Sequence, residues 1–377
     1  MIAELIVSMM AVTPIDQTVP VTRGTKLDIN NFAGDVNVKT WGRDAVRVEV
    51  NRSDREIVDI KPGEQTLTIR SRSTRGGPPR SLDYTITVPA WMPINVNGTY
   101  ADVTLDEVGA DVSVDTARGD ITVKGGSGFV SLKSVQGVIS LEKAKGRVEV
   151  RGVNESVHLA DISGDLSAES TNGSIILDRI DSANVDLYTV NGNISYDGPI
   201  KDKGLYRLTT HNGLIAMPVP ERVNATLTVR TYNGGVRSTF PLGGDSPDRR
   251  GKRMTLTLGN GSAHVELESF GGTIALRRPG EPRPEAERGR IRQRDKDKGD
   301  IGQFFEMRPT IDRAIREARS AMADVRPMID SAVRDALSVD LSSLDDVLTD
   351  VLEDVLPGHA PHPTPHPTPH PVPHPER

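Results

Sequence analysis

The chain has 377 residues, a net charge of −6 and no cysteine. That length allows two or three ordinary domains, and acids and bases so interspersed give no global field that would favour nucleic acid. The missing cysteines exclude disulfides, thiolate metal sites and cysteine nucleophiles, while an aromatic content of 4% suits a narrow core of Val, Ile, Leu and Ala.

Residues 1–17 open on an apolar run, Met1 to Val12, in which Glu4 is the only charge and no Lys or Arg precedes it. This reads as an incomplete secretory signal, such as a start codon assigned too far downstream would leave. No run in the chain approaches the roughly 18 to 20 apolar residues of a membrane span. From 18 to 97 the sequence alternates as strands do, at Lys26 to Ile29, Val36 to Val38, Val46 to Val50, Gln65 to Ile69 and Tyr84 to Val88. It lacks a longer repeat, and is expected to be an N-terminal β cap over an otherwise open sheet edge.

A nine-residue beat then sets the architecture of residues 98–276. Branched apolar residues fall at Val103, Val112, Ile121, Val130, Ile139, Val148, Val157, Leu166 and Ile175, and with longer steps at Val185, Ile194, Tyr206, Ile215, Leu227 and Val236. A second apolar residue two positions on, as at Leu105, Val114 and Val123, marks a strand with one buried face. Asn172-Gly173, Asn191-Gly192, Asn212-Gly213 and Asn233-Gly234 recur at about twice the strand period, and their tolerance of positive φ suggests tight corners. The expected fold is mainly β: a parallel β-helix or β-roll solenoid with two strands per coil, like residues stacked at ~4.8 Å.

Composition changes after Leu276. Residues 277–300 are rich in Pro, Gly and charges of both signs and read as a solvated linker. Residues 301–357 carry amphipathic helical spacing: Ile311, Ile315, Ala318, Met322 and Val325 form one stripe, broken at Pro327, and Leu344, Val347, Leu348, Val351 and Leu352 form another. The second helix has an acidic polar face, which opposes an anionic bilayer, so packing on the solenoid's open end or self-association is the favoured role. The tail, 358–377, alternates His and Pro and is expected to be disordered, with a polyproline II bias.

The candidate metal ligands are His362, His366, His370 and His374. In polyproline II, residues four apart lie ~12 Å apart and rotate about the axis, so one ion cannot bind several of them without bending the chain. A calcium β-roll would need an Asp where Gly125-Gly126-Ser127-Gly128-Phe129-Val130 has Val130. Asp102, Asp111, Asp120 and Asp165 are expected to point outward and solvate turns, and Arg118-Gly119-Asp120 is one instance of that corner. For catalysis, Asp102 and Asp120 would be neighbours on successive coils, but Val138 ends the ladder, and His158, His211 and His264 are out of register. No catalytic, cofactor or metal site is assigned, and the chain is expected not to be an enzyme.

Asp83-Tyr84-Thr85-Ile86-Thr87-Val88-Pro89, the Gly-Asp-Val/Ile corners, Thr189-Val190-Asn191-Gly192-Asn193-Ile194 and Thr210-His211-Asn212-Gly213-Leu214-Ile215 together resemble the bacterial putative-adhesin family of β-strand-repeat domains of unknown function. The likeness covers Val21 to Leu276. It implies a bacterial β-solenoid, exported or envelope-associated (periplasmic or secreted), with no catalytic residues to carry over. The leading expectation is a non-enzymatic surface or envelope scaffold whose partner is a protein or a surface glycan. The alternatives are an envelope-stress or signalling component acting through the C-terminal helices and, behind it, a polysaccharide-processing enzyme.

Overall fold

The computed structural model describes residues 12–282 apart from 54, 78 and 243–251. The apolar start (1–11), most of the charged stretch, both expected helices and the His/Pro tail with its four candidate ligands lie outside the described residues. Among the described residues there are twenty-six strands and no helix, arranged as two sheets of thirteen strands each.

The two sheets exist because the chain alternates between them. Val103–Val108 lies in the first sheet and Val112–Arg118 in the second; Ile121–Gly125 returns to the first, and Ser127–Gln136 to the second. Each strand pairs in parallel with the strand one coil later, so Ile121, Ile139, Val157, Ile175, Ile194 and Ile215 form one inward column. Val112, Val130, Val148, Leu166, Val185 and Tyr206 form the facing column. All are at most 3% exposed, and burying each is worth about 1.5 to 3 kcal/mol. The core also takes rings: Tyr84, Tyr196 and Tyr206 are fully buried. The last two meet edge to face at 5.9 Å. Tyr196 Oη donates to the Pro199 carbonyl at 3.1 Å, while Tyr206 Oη accepts from Lys201 N at 2.8 Å and donates to the Ser182 carbonyl at 2.9 Å, and together they fasten the loop that lengthens this coil.

Spatial order departs from sequence order at both ends. Lys26–Ala33 and Val36–Trp41, which lie outside the nine-residue beat, form an ordinary parallel coil. The chain then runs outward through Ala45–Ser53 and Glu56–Pro62 and returns as Thr66–Ser73 and Tyr84–Pro89 on the outer side of that first coil. It next skips back over the first coil to Ile94–Tyr100 and Val103–Val108. The other end mirrors this. Ala225–Thr231 and Val236–Ser238 are laid down one place too far out, Lys252–Leu258 turns back antiparallel, and Ala263–Ser269 and Ile274–Arg277 enter the gap. Ile274, not Val236, therefore follows Ile215 in the inward column. Antiparallel strands, Val12–Pro20, Glu56–Pro62 and Lys252–Leu258, form three of the four outer edges, and the short parallel strand Val236–Ser238 forms the fourth, leaving little flat edge for another chain to extend.

The corners are held by repeated polar contacts. Asn172 donates to Asn154, Asn191 to Asn172 and Asn212 to Asn191, each through Nδ2 to Oδ1 at 3.0 Å. Beneath this ladder runs a buried hydroxyl row. The Ser269 hydroxyl accepts from its own turn's Gly272 N–H at 3.0 Å and donates to the Gly213 carbonyl of the neighbouring coil at 3.1 Å. Thr189, Thr210 and Thr231 donate in the same way to Gly173, Gly192 and Gly272. None of the four Asn-Gly pairs has a positive φ, which corrects the expectation drawn from them. Their glycines are needed because successive turns approach too closely for a side chain: a Cβ on Gly192 would run into the Gly173 carbonyl, and one on Gly213 into the Gly192 carbonyl. Nor do the outward aspartates merely solvate turns. Asp102 Oδ1 accepts from Asp120 N at 2.9 Å, Asp120 Oδ1 from Val138 N at 2.8 Å and Asp111 Oδ1 from Phe129 N at 2.9 Å.

Two stability predictions follow from these contacts. Gly192→Ala should cost about 2 to 3 kcal/mol through overpacking against backbone, whereas Gly235→Ala, whose Cβ would meet nothing within 4 Å, should change stability by no more than about 0.5 kcal/mol. Urea denaturation of the two variants checks this, and equal losses would contradict the close-turn account. His158 lies half-buried on the outer face of the first sheet between Ser140 and Ile176. Burial lowers its pKa, and the Asp178 charge opposes that shift. The unfolded chain, with a His pKa of about 6.5, then binds the proton first, so this contribution is intact above that pH and is lost as pH falls below it. Urea midpoints at pH 7 and pH 5 should differ less for His158→Gln than for the wild type; an unchanged difference would remove His158 as a cause.

Candidate functional site

In both sheets the inward columns are apolar, so any ligand chemistry must sit on the outward rows, which parallel register assembles from residues far apart in sequence. On the first sheet, Asn37, Thr104, Thr122 and Ser140 form one in-register row, and Lys39, Asp106, Lys124 and Glu142 follow it two residues along their strands, across a register shift beside Asp106. They line a shallow concavity of about 330 Å³. Charges of alternating sign along this row neutralise one another, which suits contact with a polar surface better than capture of one ion.

The second sheet carries a more distinctive surface at the end where the last coil is inserted. His211, Phe270 and Tyr232 hold the same position in three adjacent coils, just beyond the in-register trio Thr210, Ser269 and Thr231. The His211 and Phe270 rings stack with centroids 4.7 Å apart and planes 5° from parallel, and Tyr232 lies 5.2 Å from Phe270. These rings are not core: Tyr232 is 49% and Phe270 41% exposed, and His211 is exposed as well. Two residues back along the strands, ~7 Å away, Thr209, Glu268 and Arg230 form the next outward row, and Arg207, Glu266 and Thr228 the one after. Arg230 pairs with Glu268 and Arg207 with Glu266, both at 3.5 Å. A row of rings bordered by paired guanidinium and carboxylate groups offers apolar faces and edges beside both hydrogen-bond donors and acceptors.

The residues weighed for catalysis are not brought together. His158 is on the first sheet, while His211 and His264 occupy different rows of the second. Asp102 and Asp120 are neighbours, but each gives a carboxylate oxygen to a backbone N–H of the next coil. Within Arg118-Gly119-Asp120, Gly119 takes φ 141° and Asp120 holds Val138, so the tripeptide is a structural corner. Among the described residues, no group of three or more His, Asp or Glu side chains could hold a metal ion. Sequence reasoning missed the ring row. Its signal was the shared frame Thr210-His211-Asn212-Gly213, Thr231-Tyr232-Asn233-Gly234 and Ser269-Phe270-Gly271-Gly272, which places each ring between a buried hydroxyl and a turn glycine.

Three solved structures are similar to this chain at low identity. A putative adhesin from Parabacteroides distasonis is 13% identical, the match covering 70% of this chain and 97% of the other, with a TM-score of 0.34. One from Parabacteroides merdae is 10% identical over 70% and 95%, with a TM-score of 0.32. One from Bacteroides fragilis is 11% identical over 71% and 98%, with a TM-score of 0.27. No curated protein matches the chain. The family model for Toastrack DUF4097 matches residues 24–277, from just before the first parallel coil to the end of the inserted last one, and the chain belongs to that family.

Proposed function

We propose that the protein is a non-enzymatic binding scaffold of the bacterial cell envelope, periplasmic or secreted, and that its second sheet binds a surface glycan. The observation that carries this reading is the exposed row of His211, Phe270 and Tyr232 beside the Arg230–Glu268 and Arg207–Glu266 pairs. Pyranose rings have apolar C–H faces and hydroxyl rims, which such a surface complements. A repeating polymer also suits a surface whose own rows repeat at the strand spacing. The non-enzymatic part of the reading is supported by the use made of the carboxylates: Asp102, Asp111 and Asp120 are engaged with backbone N–H groups. The envelope location rests on the resemblance to exported β-solenoids.

An array of bacterial surface polysaccharides and soluble peptidoglycan fragments, probed with the full chain, tests the proposal. Binding to a subset is expected, weakened about tenfold by Phe270→Ala or Tyr232→Ala, with circular dichroism and melting unchanged. Lys39→Glu, on the other sheet, should bind as the wild type does. Binding that ignores both ring substitutions would refute the glycan face, and release of shortened saccharide would refute the non-enzymatic reading.

A further inference from the structure

We propose that Arg277 is an oxyanion-binding site, separate from the ring row and on the other sheet. By composition Arg277 opens the charged stretch, yet it is the last residue of the strand Ile274–Arg277, in register with Pro218, and only 5% exposed. Its Nη1 donates to the Glu281 carbonyl oxygen at 3.0 Å. Its Nε and Nη2 are buried and have no hydrogen-bond partner among the described residues. Those two nitrogens form one edge of the planar guanidinium, and the chain shows elsewhere what that edge grips. Arg47 holds Asp16 through Nε at 2.8 Å and Nη2 at 2.7 Å, and Arg179 holds Asp161 through Nε at 2.7 Å and Nη2 at 2.8 Å.

The neighbouring acid feels the Arg277 charge but makes no hydrogen bond to this edge. Glu281 directs its carboxylate to the Thr239 hydroxyl at 2.6 Å and the Arg278 backbone N–H at 2.9 Å, which hold its pKa below the ordinary carboxylate value. Arg278 adds a second guanidinium, 4.0 Å over the Phe240 ring, with Nη1 donating to the Val219 carbonyl at 3.1 Å. Two cations thus share one carboxylate in a place where an unpaired buried charge is costly. Two parallel donors on a buried cation fit the two oxygens of a carboxylate or a phosphate, and a neutral acceptor would leave the charge uncompensated.

Thermal melting of the full chain in a buffer free of both anions, with millimolar inorganic phosphate or acetate added, tests this site. The wild type should gain about 5 to 10 °C at a hundredfold excess over Kd. Arg277→Met, which removes the charge at similar volume, should melt no lower than the wild type without added anion and should not respond to either. Arg277→Lys keeps the charge but not the paired donors, and should lose most of the response. A response to phosphate alone assigns a phosphoryl ligand, and a response to acetate alone assigns a carboxylate. The proposal is overturned if neither anion raises the wild type more than Arg277→Met, or if Arg277→Lys responds in full.

Discussion

In-register parallel pairing between successive coils is the constraint from which the rest of this structure follows. Once Ile121 must sit on Ile139 and Ile139 on Val157, every other position of a coil acquires a fixed neighbour above and below at ~4.8 Å. Inward positions then admit residues that stack without voids. Turn positions admit glycine where a Cβ would strike the carbonyl of the previous turn. Backbone groups of the corners, which two flat sheets would leave unpaired, are taken up by Asn, Ser, Thr and Asp side chains that reach one coil along. Repeat proteins derive their stability from such nearest-neighbour terms, and here the polar rows contribute as regularly as the apolar ones.

The same constraint explains what could be read directly from the sequence and what could not. The nine-residue beat of apolar residues is a one-dimensional record of the inward columns, so the solenoid, its two strands per coil and its buried positions from Val103 to Ile215 were legible. The Asn-Gly pairs were legible as corners but not in mechanism, because only the three-dimensional approach of turns separates a need for positive φ from a need for no side chain. The order of coils was not legible. Lys26–Ala33 and Val36–Trp41 look like cap strands in sequence because no beat connects them to Val103, and Leu227 and Val236 continue the beat although another coil lies between them and Ile215. A periodic pattern reports which residues face inward; it does not report which coil lies next to which.

Both proposed sites depend on the insertion of the last coil. Phe270 reaches the position between His211 and Tyr232 only because Ala263–Ser269 enters between strands laid down earlier. The Arg207–Glu266 and Arg230–Glu268 pairs arise in the same way. The insertion also carries Arg277 to the end of a paired strand, where it is buried rather than solvated. Three aromatic residues and three arginines scattered between Arg207 and Arg277 thus become two compact groups, one on each sheet.

The most direct test of this account asks which strand lies beside Leu205–Thr210. The chain has no cysteine, so two introduced thiols report proximity without background. Thr209 is in register with Glu268, and Arg230 lies one strand further out. Adjacent strands place paired Cα atoms within the 4.4–6.8 Å range that a disulfide requires, whereas strands two apart do not. Under mild oxidation, Thr209→Cys with Glu268→Cys should form an intramolecular disulfide, visible on a non-reducing gel, and Thr209→Cys with Arg230→Cys should remain reduced. The opposite pattern would mean that the coils stack in sequence order, and neither the ring row nor the placement of Arg277 would survive it.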